Sequence, residues 1–322
     1  MRVAVTGANG FIGTALLAHM ATNKPWDLLA LARRPPESGT AGVAYQAVGD
    51  MSQPNCWPDS VKGVSALVHT AAKAHRKLGG DPSALAELRQ VNVVATLELA
   101  RIAAESGVRR FVFLSSIKVN GESTQPGKPI MTGDEAAPQD DYAASKWDAE
   151  IGLRSIAAAS GMELVIVRPP LVYGPGVGAN FLRLLHWVGR GIPLPLASVR
   201  NKRSLIFLGN LVDALWHCLE QEAAIGRTFF VSDSETFSTP ELIETLASAM
   251  GNAPGLWSCP PSWLGLGANL LGLGPEMDRL TQSLEVDSSS IRATLGWTPP
   301  YSASSGIAQT VEWYRQAHMR ET

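Results

Sequence analysis

The chain has 322 residues, a formal net charge of −2 and 17 % charged side chains. That length suits one large domain or two intimately joined ones with an ample core, and the weak, balanced charge leaves no basic stripe for nucleic acid. The three cysteines, Cys56, Cys218 and Cys259, form no CxxC, and the six histidines show no ligand spacing, so no metal is expected. With no apolar leader before the first expected strand, the cysteines read as reduced thiols of a cytoplasmic protein.

Arg2 to Thr6 is a short apolar run, followed by Thr6-Gly7-Ala8-Asn9-Gly10-Phe11-Ile12-Gly13 and an amphipathic helix through Met20. Strands are expected at Leu28–Ala32, Val43–Val48, Val64–His69, Arg110–Ser115 and Glu163–Arg168, with helices over Asn92–Ser106 and Tyr142–Ser160. Near-continuous apolar runs such as FVFLSS and LVIV, alternating with helices, predict a parallel sheet covered on both faces: an α/β, doubly wound (Rossmann) fold. After Arg168 proline and glycine punctuate the chain, and a smaller C-terminal substrate lobe is expected. Residues 1–168 form the dinucleotide-binding core, with 204–233 partly returning to it; 169–203 and 234–322 form the lobe. Leu205 to Glu222 reads as strand then helix, Thr228 to Ser232 as another strand, and Ser238-Thr239-Pro240-Glu241 as a capped helix start. Leu256 to Leu273 is apolar, but prolines and glycines interrupt it, and its unbroken part is shorter than the ~20 residues of a bilayer span. A pocket wall or buried helix is expected there, with no stable membrane insertion.

Glycines between the first strand and first helix let the backbone turn tightly and approach a pyrophosphate, which the helix N-terminus favours. Tyr142 and Lys146 lie four apart on a helix and so share a face. An ammonium there lowers the cost of a phenolate, and the phenol can then act as acid or base. Ser116, just after the fifth expected strand, lies at the carboxyl edge of the sheet, where such folds bind ligands.

Taken in order, the glycine spacing, Gly49-Asp50, His69-Thr70-Ala71-Ala72, Asn92, Leu114-Ser115-Ser116 and Tyr142-Ala143-Ala144-Ser145-Lys146 resemble the extended short-chain dehydrogenase/reductase family. Arg168-Pro169-Pro170-Leu171-Val172-Tyr173-Gly174-Pro175-Gly176 extends the likeness to its nucleotide-sugar epimerase/dehydratase branch. The resemblance implies a nicotinamide cofactor and a lobe that grips a nucleoside diphosphate sugar. It assigns Ser116, Tyr142 and Lys146 to catalysis, with Ser115 a structural neighbour. For the cofactor it implies Gly7, Asn9, Gly10, Phe11, Ile12, Gly13, Asp50, Met51, Ala71, Lys73, Asn92, Tyr142, Lys146 and Pro169. Asp50 would accept from the adenine amine, or be a turn aspartate; Lys73 would meet phosphate and ribose, or be a solvated charge. Asn92 would organise the site, or serve as a cap or core amide. The second strand ends in Arg33-Arg34 with no acid, which favours NADP(H) over NAD(H). Substrate contacts are expected from His75, Ser116, Lys118, Asn180, Arg203 and Arg279, where Lys118 meets a phosphate or faces solvent.

Related 4,6-dehydratases carry Asp-Glu after the active serine or threonine; Ile117-Lys118 stands here, which argues against dehydration. The familiar Val-Tyr-Gly of many epimerases is Val119-Asn120-Gly121. The leading expectation is a UDP-4-keto-6-deoxy-N-acetylhexosamine 4-reductase in surface-polysaccharide (O-antigen) precursor synthesis. The alternatives are a UDP-hexose or UDP-N-acetylhexosamine 4-epimerase and a reductase of a non-sugar ketone; a cofactor-sensing regulator is disfavoured by the tyrosine-lysine pair. The family also implies a homodimer through the Tyr142 helix and its neighbour.

Overall fold

A computed structural model describes residues 1–23, 26–57, 61–73, 81–260 and 274–318. The main sheet contains β1 (Arg2–Thr6), β2 (Asp27–Ala32), β3 (Val43–Ala47), β4 (Ala66–His69), β5 (Arg110–Leu114), β6 (Glu163–Arg168) and β9 (Thr228–Phe230). Its order is β3-β2-β1-β4-β5-β6-β9, with every pairing parallel. The reversal of direction beside β1 is the switch point at which such sheets open a ligand crevice.

Period-two alternation explains why both faces of the sheet are apolar. Val3, Val5, Val112, Val165 and Val167 face one side, where α1 (Phe11–Asn23) and α6 (Leu208–Glu220) cover them. Ala4, Phe111, Phe113, Leu164 and Ile166 face the other, against α3 (Ala95–Glu105) and α4 (Asp141–Ser160). The helix expected from Asn92 has a longer run ahead of it, and the whole is three successive pieces. They are α2 (Pro82–Arg89), a π-helical turn at Gln90–Val94, and α3.

A smaller sheet, β10-β8-β7, joins β7 (Leu171–Tyr173), β8 (Arg203–Phe207) and β10 (Thr236–Phe237). It carries its own core of Tyr173, Phe181, Leu185, Phe207, Ile243, Leu246 and Val311, built with α5 (Ala179–Gly189) and α7 (Thr239–Ala249). So β8 belongs to the small sheet, while α6 and β9 join the large one. Ser238 caps α7 reciprocally with Glu241, a capping box. Further helices span Gly274–Thr281, Ser289–Leu295 and Ala303–His318. Among the described residues no helix is long and apolar enough to cross a membrane, and no group of three metal-ligating side chains converges. Residues 261–273, most of the apolar segment, lie outside the described residues, as does His75.

Candidate active site

Gly7 turns the chain out of β1 with φ 67, and a Cβ there would lie 2.8 Å from the Ala71 backbone nitrogen. At Gly13 a Cβ would run into the Gly7 carbonyl, so glycine is what lets α1 sit against the loop. Beside this loop opens a cavity of about 520 Å3. Its walls include Gly7, Asn9, Gly10, Arg33, Arg34, Asp50, Met51, Ala71 and Lys73, each a sequence candidate. Ala8, Leu31, Val48, Trp57, Glu87 and Val91 line it too and were not singled out from the sequence. Phe11 lines a different cavity and Ile12 packs on the core, so any part they play at the first would run through their backbone amides.

Two of the charges on the rim, Arg33 and Lys73, stand in ion pairs. Arg33 donates to Asp50 Oδ2 at 2.9 Å, and the Ser52 N–H donates to Asp50 Oδ1 at 3.0 Å. Those donors, Ser52 first, hold the Asp50 carboxyl below the usual range. Asn9 donates to the Arg34 carbonyl at 2.5 Å, tying the glycine loop to the end of β2. Lys73 forms an ion pair with Glu87 and is not simply a solvated charge.

At the end of β5 two adjacent serines part ways. Ser115 is buried and donates to Glu150 Oε1 at 2.5 Å. Glu150, on α4, also accepts from Arg168 Nε at 2.9 Å and Nη2 at 2.5 Å, and Arg168 Nη1 donates to Asn120 Oδ1 at 2.6 Å. Asn120, where many epimerases carry tyrosine, thus closes a buried polar network beneath the site. Ser116 is half-buried and caps the short 3-10 turn Ile117–Val119, accepting from the Lys118 N–H at 3.3 Å. The Pro169 carbonyl accepts from the Ile117 N–H at 3.0 Å and holds that turn to the end of β6.

Tyr142 lies in the first turn of α4, directly after Asp141, and Lys146 follows on the same face. Lys146 is 2 % exposed, its Nζ 4.2 Å above the centre of the Phe113 ring. Burial pushes the Tyr142 phenol up to about 12, helped by the Asp140 carboxylate, and brings the Lys146 ammonium down to about 7. Both shifts favour an uncharged pair, the reverse of the expected low phenol held by a charged lysine. The i,i+4 spacing sets proximity, but burial decides the charges here.

Asn92 sits in the π-helical turn. Its Oδ1 accepts from the Lys73 N–H at 2.8 Å, and its Nδ2 donates to the Lys73 carbonyl at 3.2 Å and to Ser145 Oγ at 3.0 Å. Ser145 in turn donates to the Tyr142 carbonyl at 2.7 Å. One amide therefore joins the chain after β4 to the helix of Tyr142 and Lys146, and π-turns are often found at such functional positions.

Lys118 is a partly exposed cation that is already paired: its Nζ donates to Asp140 Oδ2 at 2.6 Å and Glu122 Oε1 at 2.7 Å. Arg203, at the start of β8, donates to the Gln282 carbonyl at 2.9 Å. Burial and the nearby Arg279 charge lower its pKa while Glu122 opposes them, so the two arginines feel one another. Asn180 is exposed in the first turn of α5, directly after Ala179, whose φ of 51 is unusual for a residue with a Cβ.

Residues 3–231 match the NAD dependent epimerase/dehydratase family. The chain belongs to that family. It is an enzyme of the extended short-chain dehydrogenase/reductase type. A UDP-glucose 4-epimerase of Vibrio cholerae is 40 % identical over 321 residues, covering 99 % of this chain and 97 % of that one. A 2-alkyl-3-oxoalkanoate reductase of Stenotrophomonas maltophilia is 30 % identical over 265 residues, covering 78 % and 76 %. Among solved structures, MoeE5 in complex with UDP-glucuronic acid and NAD superposes with TM-score 0.77 at 25 % identity, covering 98 % of this chain and 100 % of that one. The Thermus thermophilus UDP-glucose 4-epimerase in complex with NAD gives 0.79 at 23 %, with the same coverage, and supports the fold.

Proposed function

We propose that this family member is a 4-epimerase of UDP-hexoses or UDP-N-acetylhexosamines. The end-to-end likeness to the Vibrio epimerase carries that reading. A dinucleotide fits the chain's own residues: the Gly7 turn leaves backbone where a side chain would stand, beside a cavity of about 520 Å3. Gly7, Asn9 and Gly10 would hold its pyrophosphate, Asp50 and Met51 the adenine end, and Lys73 and Lys146 the ribose nearer the chemistry. When bound, the cofactor supplies hydride exchange at C4 of the sugar.

Ser116 and Tyr142 would hold the C4 oxygen between them. Tyr142, as the phenolate, would take the C4 hydroxyl proton and later return it to the same oxygen, the hydride exchange itself being what the bound cofactor would supply. The lock on Ser115 supports Ser116 as the hydroxyl that serves the substrate. A bound oxidised nicotinamide, being cationic, would favour the phenolate that burial and the Asp140 carboxylate oppose. Lys146 would add to this when protonated. Arg203 and Arg279 would bind the diphosphate. Ile117-Lys118 in place of two acids argues against dehydration.

A second reading, reduction of a UDP-4-keto-6-deoxy-N-acetylhexosamine, is favoured by Arg33 and Arg34 on the cavity wall. No acid ends β2, an arrangement suited to NADP(H), which a reductase must exchange at each turnover. Incubation with UDP-glucose and UDP-N-acetylglucosamine separates the readings. Conversion to the galacto sugars without net cofactor change supports epimerisation. Loss of NADPH absorbance only with the keto sugar supports reduction instead.

We also propose a homodimer through α3 and α4. Ile151 on α4 is 51 % exposed, and Val94, immediately before α3, is 48 % exposed. A monomeric mass by light scattering counts against it.

A further inference from the structure

Lys118 connects the two sides of the proposed proton-transfer site. On one side its backbone N–H donates to Ser116 Oγ at 3.3 Å. On the other its Nζ donates to Asp140 Oδ2 at 2.6 Å, and Asp140 is the N-cap of α4, accepting from the Ala143 N–H through Oδ1 at 2.7 Å. Tyr142 lies in that first turn, so the carboxylate gripped by Lys118 is the one whose charge acts on the phenol.

We propose that Lys118 is a positioning residue: it fixes the Ser116 turn against the start of α4 and screens Tyr142 from the Asp140 carboxylate. The proposal rests on Tyr142 being the proton carrier but not on which sugar is turned over. The charged groups around this point come from several elements. Asp140 and Asp141 stand at the start of α4, and Lys146 and Glu150 lie one and two turns along it. Lys118 and Glu122 approach from the serine turn, and the Arg203 charge on β8 lies close enough to feel that of Glu122. Lys118 is the cation in direct contact with Asp140. Without it the phenol must ionise beside an uncompensated carboxylate, which disfavours the anion. A surface ion pair with only a structural role would change melting and nothing else.

The test is an ultraviolet titration of the Tyr142 phenol, taken as the difference between each protein and its Tyr142→Phe counterpart, with NAD+ saturating. The proteins are wild type, Lys118→Met, Lys118→Arg, Asp140→Asn and the double variant Lys118→Met/Asp140→Asn. Asparagine caps a helix as well as aspartate does, so α4 retains its start. Lys118→Met should raise the midpoint by roughly 0.5–1 unit, leaving about three- to tenfold less phenolate at a given pH below it. Lys118→Arg should keep the wild-type midpoint. In the Asp140→Asn background the methionine should have no further effect, and the acid limb of the kcat profile should move in parallel. An unchanged midpoint in Lys118→Met, or a shift that persists without Asp140, overturns the proposal. If UDP-sugars are not turned over while the midpoints move as stated, the functional reading fails and the role of Lys118 stands.

Discussion

Ser115 gives its hydroxyl to the buried Glu150 at 2.5 Å, while the hydroxyl oxygen of Ser116, the next residue, accepts from the Lys118 N–H at 3.3 Å in the turn that follows. Ser115→Ala should therefore destabilise the fold by about 1–3 kcal/mol, since it leaves a buried carboxylate short of a donor. Turnover should stay within a few-fold. Ser116→Ala should show the opposite pattern, with kcat down by about 10²-fold and melting nearly unchanged. Paired melts and turnover measurements would expose a reversed assignment.

Lys146 is a buried amine whose pKa falls to about 7, so the folded state binds fewer protons than the unfolded one between about 7 and the ordinary lysine value. Over that window stability should rise with pH. Lys146→Met should then be inactive yet more stable near neutrality, by on the order of 2 kcal/mol, with the gain shrinking towards pH ~10.5. Denaturant midpoints at several pH values check this. A less stable variant at every pH would mean that the contact with Phe113 outweighs the cost of burial.

His69 is fully buried between Thr6 Oγ1 at 2.7 Å and Thr96 Oγ1 at 3.0 Å, and burial, with Lys146 adding to it, lowers its pKa to about 3. Below pH ~6.5 the unfolded chain takes up a proton that the folded chain refuses. Stability should fall as pH drops through that range, at up to about 1.4 kcal/mol per pH unit from this residue alone. His69→Gln should flatten that slope in acid unfolding curves.

Arg33 shares its guanidinium with Asp50 at 2.9 Å on the cavity rim. Removing it as Arg33→Ala should weaken NADP+ binding at least tenfold and NAD+ binding only slightly, because a 2′-phosphate loses its fork. Calorimetry with both dinucleotides decides. Equal losses would assign Arg33 to holding Asp50 alone.

Arg203→Ala should raise KM for the UDP-sugar with little change in kcat, and UDP itself should bind more weakly by calorimetry. The same result for Arg279→Ala would mark both as diphosphate ligands; unchanged UDP affinity in both would remove them from the substrate site.

Much of this was legible in sequence because it is local. Apolar runs of strand length announced the parallel sheet, and glycine spacing announced the turn after β1. The serine cap announced α7. What escaped was set by distance along the chain. Glu150 is thirty-five residues from the serine it locks, and Arg33 is seventeen from Asp50. Lys118 read as a loose cation because its partner Asp140 lies beyond an intervening loop. The small sheet was hard to foresee, since β7 and β10 are brief and β7 lies in a stretch rich in proline and glycine. The effect of burial on Tyr142 and Lys146 was not legible for a related reason: helical spacing reveals neighbours but says nothing of how dry their surroundings are.

Asn92 bridges two segments, gripping both backbone polar groups of Lys73 on one side and Ser145 on the other. The chain that lines the cavity and the helix that carries Tyr142 are thereby held by the same side chain. An isosteric change such as Asn92→Leu would therefore cut the bonds to both segments at once, leaving Lys73 and Ser145 unchanged in sequence but no longer tied through one amide.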